Sequence, residues 1–222
     1  GLAFNQLRKY QDAITCFDKV LEINPKHIAA INNRGIALAE LGNTDDALEY
    51  YNKAIEIDPK YAAAHYNKGV LYDKLLQHEE AIRNLDEAIK CDSGNVNTAF
   101  YRGVVLGKMK KHEEALNCFE NIYRKHPKHM DAFFHKGMEL AELGKHERAL
   151  EIFDKLFQMH EGNVNVIYAM ARSNAAMNNV GRALYLLEQA VKKDRKTIKK
   201  WALEDEFFDS LQDEPKFARL IK

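Results

Sequence analysis

From Ile28 to Tyr61 apolar and polar positions alternate with helical spacing, and they do so on two successive faces. Ile31, Leu38 and Leu41 fall on one side of a first helix, while Ala47, Tyr51, Ala54 and Ile55 fall on one side of a second. Between them, Gly42-Asn43-Thr44-Asp45-Asp46 predicts a left-handed terminator at Gly42, followed by side chains able to cap the second helix. Asp58-Pro59 closes the unit, because proline cannot continue the helix before it.

The pattern recurs every 34 residues: Gly35 becomes Gly69, Gly103 and Gly137, and Ala47 becomes Ala81, Ala115, Ala149 and Ala183. Complete units are expected at 28–61, 62–95, 96–129, 130–163 and 164–197, with helices near repeat positions 1 to 14 and 18 to 31. The small residues let antiparallel helices approach at the short end of the usual range of about 8–10 Å. Tyr51, Leu85, Phe119, Phe153 and Leu187 share one position and are expected to plug the space between units, which assigns them to stability.

The two ends differ. Residues 1–27 match a unit lacking the first turns of its first helix, with Gly1 in the place of Gly35. The unit is expected to be cut at a boundary within a longer protein; as the alternative, Leu2, Phe4 and Leu7 form an apolar surface able to pair with a second copy, giving a homo-oligomer. In residues 198–222, Trp201 takes the place of Ile31, but Asp205 stands at the glycine position. This mixed acidic and aromatic segment, with Pro215 opening a last short helix, is expected to cap the final unit and end the chain near Lys222.

These residues resemble the tetratricopeptide repeat (TPR) family. Its W, L, G, Y, A, F and P positions are taken by Ile31, Arg34, Gly35, Leu38, Ala47, Tyr51 and Pro59, and again by Phe133, Gly137, Leu140, Ala149 and Phe153 in a later unit. The resemblance implies an all-α fold: a right-handed superhelical solenoid of antiparallel helix pairs, forming one domain over 1–222. It also implies a scaffold that binds a protein or peptide in a concave groove lined by the first helix of each pair. The family's groove positions correspond to Asn33, then Tyr66, Asn67 and Val70, then Phe100, Tyr101 and Val104. They continue through Phe134, His135 and Met138 to Tyr168 and Arg172.

Position 9 departs from the family, which commonly has Asn there, because this chain has Ile36, Val70, Val104 and Met138. Losing that amide removes a hydrogen-bond partner for an extended backbone and favours a hydrophobic peptide or amphipathic helix. Alternatively, another segment of a larger protein fills the groove, or the module is structural. The carboxylate clamp that holds Hsp70 and Hsp90 C-termini is not expected. Its five positions read Asn32, Ile36, Asn67, Asn97 and Tyr101, of which one agrees and none is basic.

Composition narrows the partners further. A chain of 222 residues, 46% hydrophobic and 30% charged, with 4 Pro and 11 Gly, fits a soluble, mostly helical protein. Thirty-three basic residues balance thirty-three acidic ones, which argues against a general affinity for nucleic acid or an anionic membrane. RNA binding ranks well below peptide binding, since the groove's Lys74, Lys108, Arg172 and Lys199 are balanced by Glu40, Asp73, Asp131 and Glu142. No apolar run is long enough to span a bilayer. Cys16, Cys91 and Cys118 lack a CxxC spacing and are expected to be reduced and largely buried, as suits a cytoplasmic protein.

No catalytic constellation stands out, and no cofactor or metal is expected. Gly103 to Lys108 is one residue short of a phosphate-binding loop, lacks the following Ser or Thr, and lies in a predicted helix. His78, His112 and His146 lie one repeat apart, too separated to share a metal, and are expected to be solvated at helix starts. His126 and His129 sit in a turn without a third ligand, and His135 is expected to be a neutral groove contact.

Overall fold

The computed structural model describes residues 1–221; Lys222, where the capping segment was expected to end, lies outside them. Among the described residues there are fourteen α-helices and one 3-10 helix, and the chain divides into two compact units, one spanning 1–109 and the other beginning at Lys110. The first unit holds α1 (Leu2–Gln6), α2 (Tyr10–Ile23), α3 (Ile28–Glu40), α4 (Thr44–Ile57), α5 (Ala62–Lys74), α6 (His78–Cys91) and α7 (Val96–Lys108). The second holds α8 (His112–Lys125), α9 (Met130–Glu142), α10 (His146–Met159), α11 (Val164–Ala176), α12 (Val180–Lys193) and α13 (Arg195–Glu204). A 3-10 helix (Glu206–Leu211) and α14 (Pro215–Ile221) complete it, the latter opening at the expected proline. Among the described residues no helix is long and apolar enough to cross a membrane.

Within each unit consecutive helices pack in order: α3 on α4, α5 on α6, α9 on α10, α11 on α12. The short connections leave no room for anything but antiparallel neighbours. Tyr51, Leu85, Phe119, Phe153 and Leu187 are all fully buried, in accord with the expected plug. The glycines make space for those plugs. A Cβ on Gly35 would lie 2.7 Å from Cε1 of Tyr51, and one on Gly137 would lie 2.6 Å from Cε1 of Phe153.

Repeat position 15 has a left-handed backbone throughout: Arg8 (φ 56°), Gly42 (84°), Leu76 (60°), Lys110 (58°), Gly144 (72°) and Asn178 (58°). The next N–H returns to the carbonyl five residues earlier, as in Asn43 to Leu38 (2.9 Å) and Gln77 to Tyr72 (2.9 Å). Four of these six residues carry a Cβ and accept a cost of about 1–2 kcal/mol each, so the packing of the flanking helices imposes the turn. The side-chain cap expected at Asn43 does not form. Its ψ of 70° departs from the extended backbone that aims a capping oxygen at the first turn. Caps occur instead on the first helices of pairs: Nδ1 of His27 and of His129 accept from Ala30 and Ala132, each at 3.1 Å.

A polar ladder crosses from each first helix to the helix before it, sixteen residues back. Arg34 meets Asp18 at 2.5 Å, Lys68 meets Asn52 at 2.8 Å, Arg102 meets Asp86 at 2.6 Å, and Lys136 meets Glu120 at 2.7 Å. Such partly exposed pairs contribute little stability singly, but they repeat at the packing joint and help fix its register.

The ends depart from the sequence expectation in detail. Leu2 and Leu7 are exposed as anticipated, whereas Phe4 packs against the cluster around Ala13 and Phe17. The cysteines are half-buried rather than largely buried. Trp201 is 39% exposed although Ile31, its counterpart, is fully buried. The reason is the start of α13 at Arg195, where the carboxylate of Asp194 accepts from the Thr197 N–H at 3.1 Å. This early start puts Ile198 and Ala202 on the buried face. Phe208, Leu211 and Phe217 then enter one continuous core with α11 and α12.

Candidate partner-binding site

In the first unit the anticipated residues lie on α3, α5 and α7, and Asn33, Tyr66, Asn67, Val70, Phe100, Tyr101 and Val104 are all half-buried. The asparagines bond to their own scaffold: Asn67 donates to buried Asn32 at 2.9 Å, and Asn33 to the Ala29 carbonyl at 2.6 Å. The Tyr66 and Tyr101 rings meet edge to face with centroids 6.0 Å apart.

Asp73 of α5 organises the far end of these helices. Its buried carboxylate accepts from the Tyr101 hydroxyl (2.6 Å) and the Lys108 ammonium (2.6 Å), and Nδ1 of His78 stands 3.0 Å away. Burial alone would raise the pKa of this acid, but the bonds from Lys108 and Tyr101 and the nearness of His78 outweigh it and hold the pKa below its ordinary value. Burial, and then the bond to Asp73, push the Tyr101 hydroxyl up. The Tyr101 hydroxyl is therefore engaged by the scaffold rather than free.

In the second unit, α9 carries Phe134, His135 and Met138, again half-buried. His135 stacks on Phe119 (5.1 Å) and meets the Phe134 ring edge-on (5.7 Å). Burial lowers the pKa of His135, with Asp131 opposing, so the ring stays neutral near pH 7. Tyr168 and Arg172 on α11 are already engaged by the chain itself. The Tyr168 hydroxyl donates to Asp205 at 2.8 Å, and Arg172 pairs with Asp205 at 2.6 Å and Glu142 at 2.9 Å while covering the Phe207 ring at 4.3 Å. Tyr168 is thus buried rather than open to a groove. Sequence reasoning missed this capture because Asp205 stood only as a failed glycine position.

The helix-start histidines are not solvated as expected, and each meets its own partner. His78 faces Asp73, His112 lies 2.8 Å from Glu139, and His146 meets Phe207 edge-on at 5.7 Å. Burial raises the Glu139 pKa, and His112 opposes that shift. His129, unassigned by spacing, is the α9 cap.

This arrangement of 34-residue helix pairs, glycine-seated plugs and first-helix side chains matches the tetratricopeptide repeat signature over residues 1–27, 28–61, 50–83, 100–163 and 140–204. The chain belongs to the tetratricopeptide repeat family. Curated protein sequences give no significant match. Among solved structures, YrrB, described as a TPR protein with an unusual peptide-binding site, superposes with a TM-score of 0.69 at 25% identity, covering 85% of this chain and 97% of that one. A TPR protein from Parabacteroides merdae gives 0.62 at 22% identity, covering 89% and 78%. MamA from Desulfovibrio magneticus RS-1 gives 0.69 at 17% identity, covering 76% and 95%. These likenesses place the chain among TPR folds, the class of scaffold built for protein–protein interaction.

Proposed function

We propose that this TPR protein is a non-catalytic scaffold that holds a hydrophobic peptide or an amphipathic helix of a partner protein against its first-helix faces. The observation that carries the reading is the set of half-buried aromatic and aliphatic side chains on α5 and α7, namely Tyr66, Val70, Phe100 and Val104, with no amide at position 9. Such a surface offers apolar area at small entropic cost, since these side chains are already ordered by packing. The 25% identity to YrrB, with its peptide-binding site, supports the same class of ligand. In the second unit Phe134, His135 and Met138 would serve this role, while Tyr168 and Arg172 hold Asp205.

The test is selection of peptides from a random display library on the whole chain, followed by calorimetry. Phe100→Ala is expected to weaken a selected peptide by about tenfold while helicity is retained, and Phe134→Ala tests the second unit separately. Selected peptides that bind both variants as tightly as the parent would overturn the assignment. A second reading, homo-assembly, is favoured by the exposure of Leu2 (61%), Leu7 (67%) and Ile23 (87%). Sedimentation of a Leu2→Lys, Leu7→Lys variant checks it, since an assembly through this face dissociates.

A further inference from the structure

The region where the C-terminal segment meets α11 is more than a closure. A cavity of about 390 Å³ opens there, with Tyr168, Trp201 and Phe207 as aromatic walls and Glu204, Asp205 and Glu206 along one edge. Glu142, Arg172 and Lys110 complete the lining, so four carboxylates face two cations. Arg172 is neutralised by Glu142 and Asp205 together. Glu204 and Glu206 are exposed, and among the described residues no ion pair or hydrogen bond engages their carboxylates.

A second, independent feature has the same sign. The final turn of α13, Trp201 to Glu204, supplies two of the lining residues and carries no basic residue. Helix C-termini favour cations. Trp201 stands 39% exposed at the mouth, edge-on to Tyr168 with centroids 5.4 Å apart, which leaves indole surface available. Arg172, stacked 4.3 Å from Phe207, shows that this aromatic wall already accepts a guanidinium.

We propose that the cavity between α11 and the Trp201–Phe207 segment is a binding site for a guanidinium, supplied by an arginine side chain of a partner protein. The arginine stacks on the open face of Trp201 and pairs with Glu204 and Glu206, while Arg172 stays locked behind it. Arginine suits the site better than lysine because its planar fork can stack and hold two carboxylates at once. The biological occupant rests on the scaffold reading above, but the chemistry of the cavity stands apart from the α5 and α7 faces.

Trp201 is the only tryptophan in the chain, so its indole N–H cross-peak reports on the cavity alone. The experiment titrates the whole ¹⁵N-labelled protein with acetyl-Gly-Arg-Gly-amide and with the same peptide carrying citrulline, the neutral isostere. The expected result is a saturable shift of the Trp201 indole peak, with citrulline weaker by about fivefold or more. A Glu204→Gln, Glu206→Gln variant, whose exposed positions leave folding intact, is expected to lose a similar factor. A rise in salt should weaken the arginine peptide alone. Equal binding of citrulline, an unchanged affinity in the double variant, or no indole shift at saturating peptide would each overturn the site. Phe100→Ala should leave this titration unchanged, so failure here and failure of the α5 and α7 site are told apart.

Discussion

Two carboxylates, one in each unit, are gripped by the same chemistry and to different ends. Asp73 receives a tyrosine hydroxyl and a lysine, Asp205 a tyrosine hydroxyl and an arginine. Asp73 belongs to a regular helix, α5, and its side chain is 2% exposed; Asp205 lies where α13 ends and is 12% exposed. In the first unit the grip joins α5 and α7. In the second it captures a segment outside the repeat. First-helix side chains of α11 thus hold an irregular segment of the same polypeptide through Asp205 and Phe207.

The comparison breaks most visibly if the segment is detached. Phe217→Ala empties a fully buried site and should lower the stability of the second unit by about 3–5 kcal/mol, read by urea unfolding followed through Trp201 emission. Removing the charges comes next. Asp73→Asn should cost about 1–3 kcal/mol in thermal unfolding, because Lys108, Tyr101 and His78 lose their common anionic partner. Asp205→Asn should cost less, as its site admits water. If both replacements cost the same, burial is not what separates the two grips.

Acid sharpens the contrast further. The Asp73 carboxyl has a folded pKa below its unfolded value, so its contribution is full above about pH 4 and is lost as pH falls through the folded value. Circular dichroism on acidification should show a loss in that window which Asp73→Asn removes. The smallest expected effect is a gain. Leu76 is 78% exposed and left-handed at the position that Gly144 fills in the second unit, so Leu76→Gly should stabilise by about 1 kcal/mol by denaturant midpoint.

The regular part of the fold was legible because it repeats. Gly35, Ala47 and Tyr51 each encode one contact, and a period of 34 residues multiplies it until chance is excluded. The polar ladder of Arg34, Lys68, Arg102 and Lys136 carries the same period and could have been found by scanning charges at that spacing. The buried role of Tyr168 and the pairing of Arg172 were not legible. They depend on Asp205 and Phe207, non-repeating residues more than thirty positions away, and on α13 starting early at Arg195. His78 was misplaced for a similar reason, since periodicity shows which helix end it occupies but not that Asp73 lies beneath it.

The left-handed corner at position 15 has a consequence for how such a chain can vary. Because Arg8, Leu76 and Lys110 turn it as Gly42 does, several residue types are accommodated there at a cost of about 1–2 kcal/mol, but a change in the number of residues is not. Deleting or inserting one residue in the connection would rotate the next helix by about 100° about its axis. Its alanine face would then turn to water and a charged face inward. The length of these corners therefore matters more to the fold than the side chains that fill them.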